Sequence, residues 1–195
     1  ESPYAAEGKQ CQDCHMPLIA GRVVKDKIKS SNRKLVNLHD NSAGHSEEQL
    51  KKAVKVEFKN ISADKDFIVV SVDVTNVGSG HMVPTGLPKR KLALIVDVKT
   101  PRDYLSQQKI FQRIMTDDKG NEIKKDWAFF ANGVKDFFDN RIKPLEKKSE
   151  SFTFVRPKND DITISARVEY LYETMVLNPV EMRVVMAEAS RKISK

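Results

Sequence analysis

The feature that most restricts the fold is a change of hydrophobic period at Ala53. Beyond it, apolar residues recur at every second position. Val54, Val56 and Phe58 alternate with Lys55, Glu57 and Lys59. Ile68, Val70, Val72 and Val74 alternate with Val69, Ser71 and Asp73. Leu92, Leu94, Val96 and Val98 alternate with Ala93, Ile95 and Asp97. Ile162, Ile164, Ala166, Val168, Tyr170 and Tyr172 alternate with Thr163, Ser165, Arg167 and Glu169. Successive side chains of a strand point to opposite faces, so this pattern marks strands with one face in a core and one in water. Shorter candidate strands span residues 109–116, 151–156 and 182–188. Turn signals separate the runs: Asp117 to Asn121 around Gly120, Pro144, Pro157, and Asn178-Pro179. The expectation is a mainly β chain, with an immunoglobulin-like β-sandwich of seven strands over residues 53–195. Residues 126–141, with Trp127, Phe129, Phe130, Phe137 and Phe138, break the alternation. They read as an excursion between strands, helical in part, with aromatics that pack into the core. A chain of 195 residues can bury such a core without covalent staples.

Residues 1–52 have a different character and hold the only two cysteines. These stand in the run Cys11-Gln12-Asp13-Cys14-His15-Met16-Pro17. Two thiols one helical turn apart, with a histidine directly after the second, form the covalent attachment pattern of a c-type haem. Each thiol can add to one vinyl group of the same porphyrin, and the adjacent imidazole can reach the iron as its proximal ligand. The segment reads as loop-rich, with a short helix that Pro17 ends, because proline disfavours helix in the residue before it. Two rival readings use the same cysteines. Cys11 and Cys14 with His39 and His45 would make a zinc site, but the gap of 24 residues exceeds the usual finger spacing of about 12–15. That reading also leaves His15 without a task. A redox dithiol or disulfide is the other rival, but a thioredoxin-like pair would open a helix after a buried strand, and residues 1–9 contain no apolar run. The preferred reading is one covalent haem c, held by Cys11 and Cys14 with His15 on the iron.

Three stretches share a resemblance. They are Ser2-Pro3-Tyr4-Ala5 with Gly8 to Pro17, then His39 to Ser46 with Gly44-His45, then Val74 to Gly86 with Gly80-His81 and Pro84-Thr85-Gly86. Together they resemble the C-terminal portion of multihaem c-type cytochromes of bacteria and archaea. The chain departs from that pattern in having a single CxxCH motif. A single-haem relative and a piece of a longer cytochrome both stay open. The resemblance implies electron transfer, export to the periplasm or cell exterior, and a redox partner or neighbouring haem domains. No catalytic carboxylate or nucleophile cluster points to an enzyme, and a place in a larger multihaem oxidoreductase stays open.

The sixth iron position has several candidates, each of which could equally be a polar loop residue or a core histidine. His39 is preferred, so that His15 and His39 would be the metal ligands, because in the related cytochromes a histidine after the motif often serves this way. The basic stretch 21–38, with Lys25, Lys27, Lys29, Arg33 and Lys34, reads as a loop around the haem edge with a short hairpin near residues 30–32. It would also steer a partner to the haem segment. His81 and His45 are the alternatives, or ligands to a neighbouring haem. His81 sits in a loop made tight by Gly78 and Gly80 and stiffened by Pro84. His45 adjoins a short helix over residues 46–53, with Ser46 as N-cap and Gln49 at the capping-box position. Met82 leads among the methionines.

Charge excludes little. The net +7 comes from 34 Lys and Arg against 27 Asp and Glu, and no basic-aromatic motif turns it into a nucleic-acid site. No run of 18 or more apolar residues exists, and an oligomer is compatible with the composition. Two further functions fit the sequence: a haem-based sensing or binding module, and a zinc-stapled sandwich used for docking.

Overall fold

The computed structural model describes residues 2–21, 34–40, 42–87, 89–123, 126–133, 135–158, 161–173 and 181–193. In chain order the elements are α1 (Pro3–Ala6), α2 (Cys11–His15), β1 (Leu18–Ala20), β2 (Leu35–Asn37), α3 (Glu47–Ala53), β3 (Val54–Ala63), β4 (Phe67–Asn76) and β5 (Lys91–Lys99). Then follow β6 (Tyr104–Phe111), β7 (Arg113–Thr116), α4 (Asp126–Asn132), β8 (Lys135–Asp139), β9 (Lys147–Val155), β10 (Ile162–Glu173) and β11 (Glu181–Ile193). Two antiparallel sheets form the body, a four-stranded one ordered β11-β10-β5-β6 and a three-stranded one ordered β3-β4-β9. This is the mainly β, sandwich-like architecture that the alternation predicts.

The alternating residues fill the space between the sheets. Val70, Val72 and Val74 of β4, Leu94, Val96 and Val98 of β5, and Ile164, Ala166 and Val168 of β10 all belong to one buried cluster. Each buried methylene contributes about 0.8 kcal/mol, so this cluster is the main source of stability. A bulge in β3 between Phe58 and Asn60 shifts its pairing with β4, which ends the simple alternation read in the sequence.

Three expectations are corrected. Residues 109–116 do not form one strand: β6 begins at Tyr104, and the chain breaks at Gln112 before β7. The start of β6 is polar because β6 is an edge strand and most of its residues are not buried. The second correction concerns β5, whose outward face is not wet. Ala93 and Ile95 pack with Leu171 in a second buried cluster, and Asp97 on that face accepts hydrogen bonds from Tyr104 and Arg167. A strand with neighbours on both edges is covered by their long side chains as well. The third correction concerns the excursion, which is part helix (α4) and part strand (β8, paired with β7). Its aromatics do not enter the core: Trp127 is 66% exposed, Phe130 77% and Phe137 73%. β8, paired with β7, carries Phe137 and Phe138 on the surface, and Arg113 lies over the Phe129 ring of α4.

The stretch 21–38 ends in β2, which pairs with β1 as a short antiparallel ladder. The basic residues Lys25 to Arg33 and the expected hairpin near 30–32 lie outside the described residues. The helix expected from Ser46 is α3, and the Ser46 hydroxyl accepts from the Gln49 backbone N–H at 3.3 Å. α3 runs directly into β3, and its Leu50 joins the sandwich core. Among the described residues, no helix is long and apolar enough to cross a membrane.

Candidate haem site

The CxxCH motif forms the single turn of α2. The Gln10 N–H donates to the Asp13 carboxylate at 2.7 Å, closing the first turn. Helical spacing puts Cys11 and Cys14 on one side, and both are free thiols at the surface of a cavity of about 620 Å³. His15 follows at the last helical position. The backbone leaves the helix at Met16, ahead of Pro17, as the sequence predicts. The segment is tied to the sandwich by Tyr4, whose hydroxyl donates to the Val77 carbonyl at 2.6 Å.

Val77 opens the loop between β4 and β5 that carries His81. Two glycines let this loop lie close to its neighbours. A Cβ on Gly78 would sit 2.0 Å from the Lys52 carbonyl oxygen at the end of α3, and one on Gly80 would sit 2.7 Å from Ser2 Oγ. A fully buried asparagine shapes the loop from within. Asn76 donates through Nδ2 to the carbonyls of His81 (2.9 Å) and Ile142 (3.3 Å), and its Oδ1 accepts from the Ser79 N–H (3.0 Å). The Ser79 hydroxyl donates to the His81 carbonyl at 3.1 Å. Val83 then bridges to Ile142 through both backbone bonds, which fixes the loop's exit.

The consequence is that His15 and His81 face each other. Their ring centroids are 6.2 Å apart and their planes differ by 10°. A metal ion takes an imidazole nitrogen at about 2.0–2.1 Å. The ring centroid lies roughly 1.1 Å further out, so two rings across one ion have centroids about 6.2–6.4 Å apart. Each ring is also oriented by its Nδ1. His15 Nδ1 lies 2.5 Å from the Ser42 carbonyl, and His81 Nδ1 lies 3.1 Å from the Met82 carbonyl and 2.8 Å from Ser79 Oγ. A carbonyl can only accept, so a proton on each Nδ1 satisfies both contacts, and in that tautomer each Nε2 is free to act as a ligand. That is the usual arrangement of metal-binding histidines.

The other sequence candidates lie elsewhere. His39 and His45 are exposed and do not line the cavity that Cys11, Cys14, His15 and His81 share. Met82 contributes its backbone carbonyl to His81, and the wall methionine is the buried Met186 of β11. No group of three or more His, Cys, Asp or Glu is gathered for a metal ion among the described residues, so Cys11, Cys14, His39 and His45 do not converge as a zinc site would require. Asn76, Ser79 and Ser42 hold the two histidines or their loop by hydrogen bonds, and the sequence reading did not single them out. Asn76 falls inside the quoted stretch from Val74 to Gly86, but nothing in its surroundings signals a loop staple.

The residues fit a haem. The donor set is two thiols and two imidazoles that line one cavity. The cavity lies within the roughly 300–1,000 Å³ of small-molecule and cofactor sites, and Ala5, Leu50, Ala53, Val83 and Met186 make much of its wall apolar. Tyr170 of β10 also reaches it. Burial raises the Tyr170 phenol above its ordinary pKa, while nearby Arg90 acts in the opposite sense.

No family model and no curated relative matches the chain. A solved structure does: a penta-haem cytochrome c552 from Thermochromatium tepidum superposes with a TM-score of 0.68 at 23% identity. The match covers 97% of this chain and 49% of that one, so this chain spans about half the length of the cytochrome. Two chains therefore share a fold across the haem segment and the sandwich together. β-Glucosidases from Kluyveromyces marxianus and Thermotoga neapolitana also match, at TM-scores of 0.29 and 0.28, too low to bear on function.

Proposed function

We propose that this chain is an electron-transfer domain of the c-type cytochrome kind, with one covalent haem. Cys11 and Cys14 would hold the group by thioether bonds, and His15 and His81 would be its two axial ligands. Bound there, the haem would supply reversible one-electron chemistry at its iron. The facing of His15 and His81 carries the reading. It replaces His39, the preference drawn from the resemblance, with His81 as the proposed distal ligand. The carbonyls of Ser42 and Met82 hold the Nδ1 protons and keep both Nε2 atoms available. Two imidazoles leave no open position for a substrate or a gas, which favours electron transfer over sensing or turnover. Bis-imidazole ligation also favours a lower potential than Met/His ligation. The shared fold with half of a five-haem protein supports a place beside further haems, and covalent haem implies export from the cytoplasm.

The test is optical. The holoprotein is expected to be six-coordinate and low-spin in both oxidation states and inert to carbon monoxide. His81→Ala is expected to give a high-spin species that binds carbon monoxide, and His39→Ala is expected to leave the spectrum unchanged. If His39→Ala opens the iron and His81→Ala does not, the ligand assignment is wrong. A wild-type protein that binds carbon monoxide would favour the sensing module.

A further inference from the structure

We propose that Arg90 and Tyr170 form a carboxylate-binding corner of the same cavity, which receives the propionate groups of the haem. This rests on the haem reading above. The cavity wall carries two cationic side chains, Lys9 and Arg90, and no Asp or Glu. Lys9 is already paired with Glu7 at 2.9 Å, outside the wall. Lys89, next to Arg90, is paired with Glu173. Arg90 has no carboxylate partner among the described residues, and its one side-chain bond is a long 3.4 Å contact to the Thr85 carbonyl. A half-buried guanidinium keeps most of its fork of donors for a ligand.

Tyr170 adds the second donor. The residue is 4% exposed and lines the cavity, and its hydroxyl makes no hydrogen bond among the described residues. The oxygen is open to the cavity, so a bound carboxylate could accept from it. The two side chains get their room from glycines. A Cβ on Gly44 would lie 2.7 Å from the Tyr170 hydroxyl, and a Cβ on Gly86 would lie 2.8 Å from Arg90 Nη1. A polar, positively charged corner without its own anion, in a cavity of mostly apolar wall, is complementary to an apolar macrocycle that ends in carboxylates.

The test uses the haem-loaded protein with Arg90→Gln, Arg90→Lys and Tyr170→Phe. The readouts are the propionate bending bands in the resonance Raman spectrum and the reduction potential. Arg90→Gln is expected to move the bands and lower the potential, because removing a nearby positive charge favours the oxidised form. Arg90→Lys is expected to restore the potential and not the bands. Tyr170→Phe is expected to move the bands alone. All three are expected to keep the covalent haem and the six-coordinate spectrum. Should Arg90→Gln fail to mature, the bands of the other two variants decide. A haem-loaded protein whose bands stay fixed in Tyr170→Phe and in the Arg90 variants overturns this proposal and leaves the ligand assignment standing. A wild-type chain with no covalent haem overturns both.

Discussion

Asn76→Ala should disturb both stability and the iron's ligation. The Asn76 side chain is fully buried and makes three hydrogen bonds to backbone groups. Two of the partners keep a second donor after truncation: the His81 carbonyl still accepts from Ser79 Oγ, and the Ile142 carbonyl from the Val83 N–H. Losing each of those bonds costs about 0.5–1 kcal/mol. The Ser79 N–H keeps no partner, and an orphaned buried donor costs about 1–3 kcal/mol. The sum is about 3 kcal/mol, which in a domain of this size lowers the melting temperature by roughly 6–12 °C. The loop that carries His81 is released at the same time, so the low-spin spectrum should acquire a high-spin component. Asn140→Ala is the control. Its Nδ2 donates to the Ile110 carbonyl at 2.8 Å and its Oδ1 accepts from the Gln112 N–H at 2.7 Å, between β6 and β8 rather than at the cavity that His15 and His81 line. It should cost a comparable amount and leave the spectrum alone. Urea unfolding followed by circular dichroism, with an optical spectrum of each holoprotein, measures both effects. A loss below about 1 kcal/mol for Asn76→Ala with an unchanged spectrum would refute the staple role.

Three further outcomes are expected. Gly78→Ala should destabilise by about 1–3 kcal/mol and shift the spectrum, because its Cβ would meet the Lys52 carbonyl oxygen at 2.0 Å; Gly120→Ala, in open space at φ +83°, should cost about 1 kcal/mol and leave the spectrum unchanged. The Asp73 carboxyl is held below its usual range by the Ser149 hydroxyl, against burial and with help from Lys147. Its folded pKa is depressed, so its contribution is complete above the ordinary carboxyl value of about 3.9 and is lost as pH falls through the folded value. Asp73→Asn should therefore flatten the acid limb of urea midpoints measured from about pH 6 to pH 3. Cys11→Ala with Cys14→Ala should make the haem extractable into acidified ketone, whereas wild type should retain it through denaturing mass spectrometry.

The outward aromatics of α4 and β8 show a limit of reading pattern alone. Trp127, Phe130 and Phe137 have the composition of a core segment. Burial is decided by what stands opposite: β8 pairs with the short strand β7, and the side chains of Trp127, Phe130 and Phe137 stay exposed. The outward face of β5 errs in the other direction. Asp97 looked solvated, but Arg167 and Tyr104 from both neighbouring strands cover it. In each case the local sequence gives the period of the strand and says nothing about its neighbours.

The sequence determined what local chemistry can determine. Strand periodicity is a property of consecutive residues, so Val70 to Val74, Leu92 to Val98 and Ile162 to Val168 announced the inner faces of the sheets directly. The CxxCH motif was legible for the same reason: two thioethers and a proximal imidazole on one macrocycle must come from one helical turn. The imidazole across the cavity is a different matter. Three histidines besides His15 were available, and their spacing along the chain does not rank them. The tertiary structure selected His81 to face His15, because Tyr4 docks the haem segment on Val77, Gly78 lets the loop settle on α3, and Asn76 holds the His81 carbonyl from inside the core. Which histidine lies across from His15 depends on the distance and angle between two segments far apart in the chain, and only the packing of the sandwich sets those.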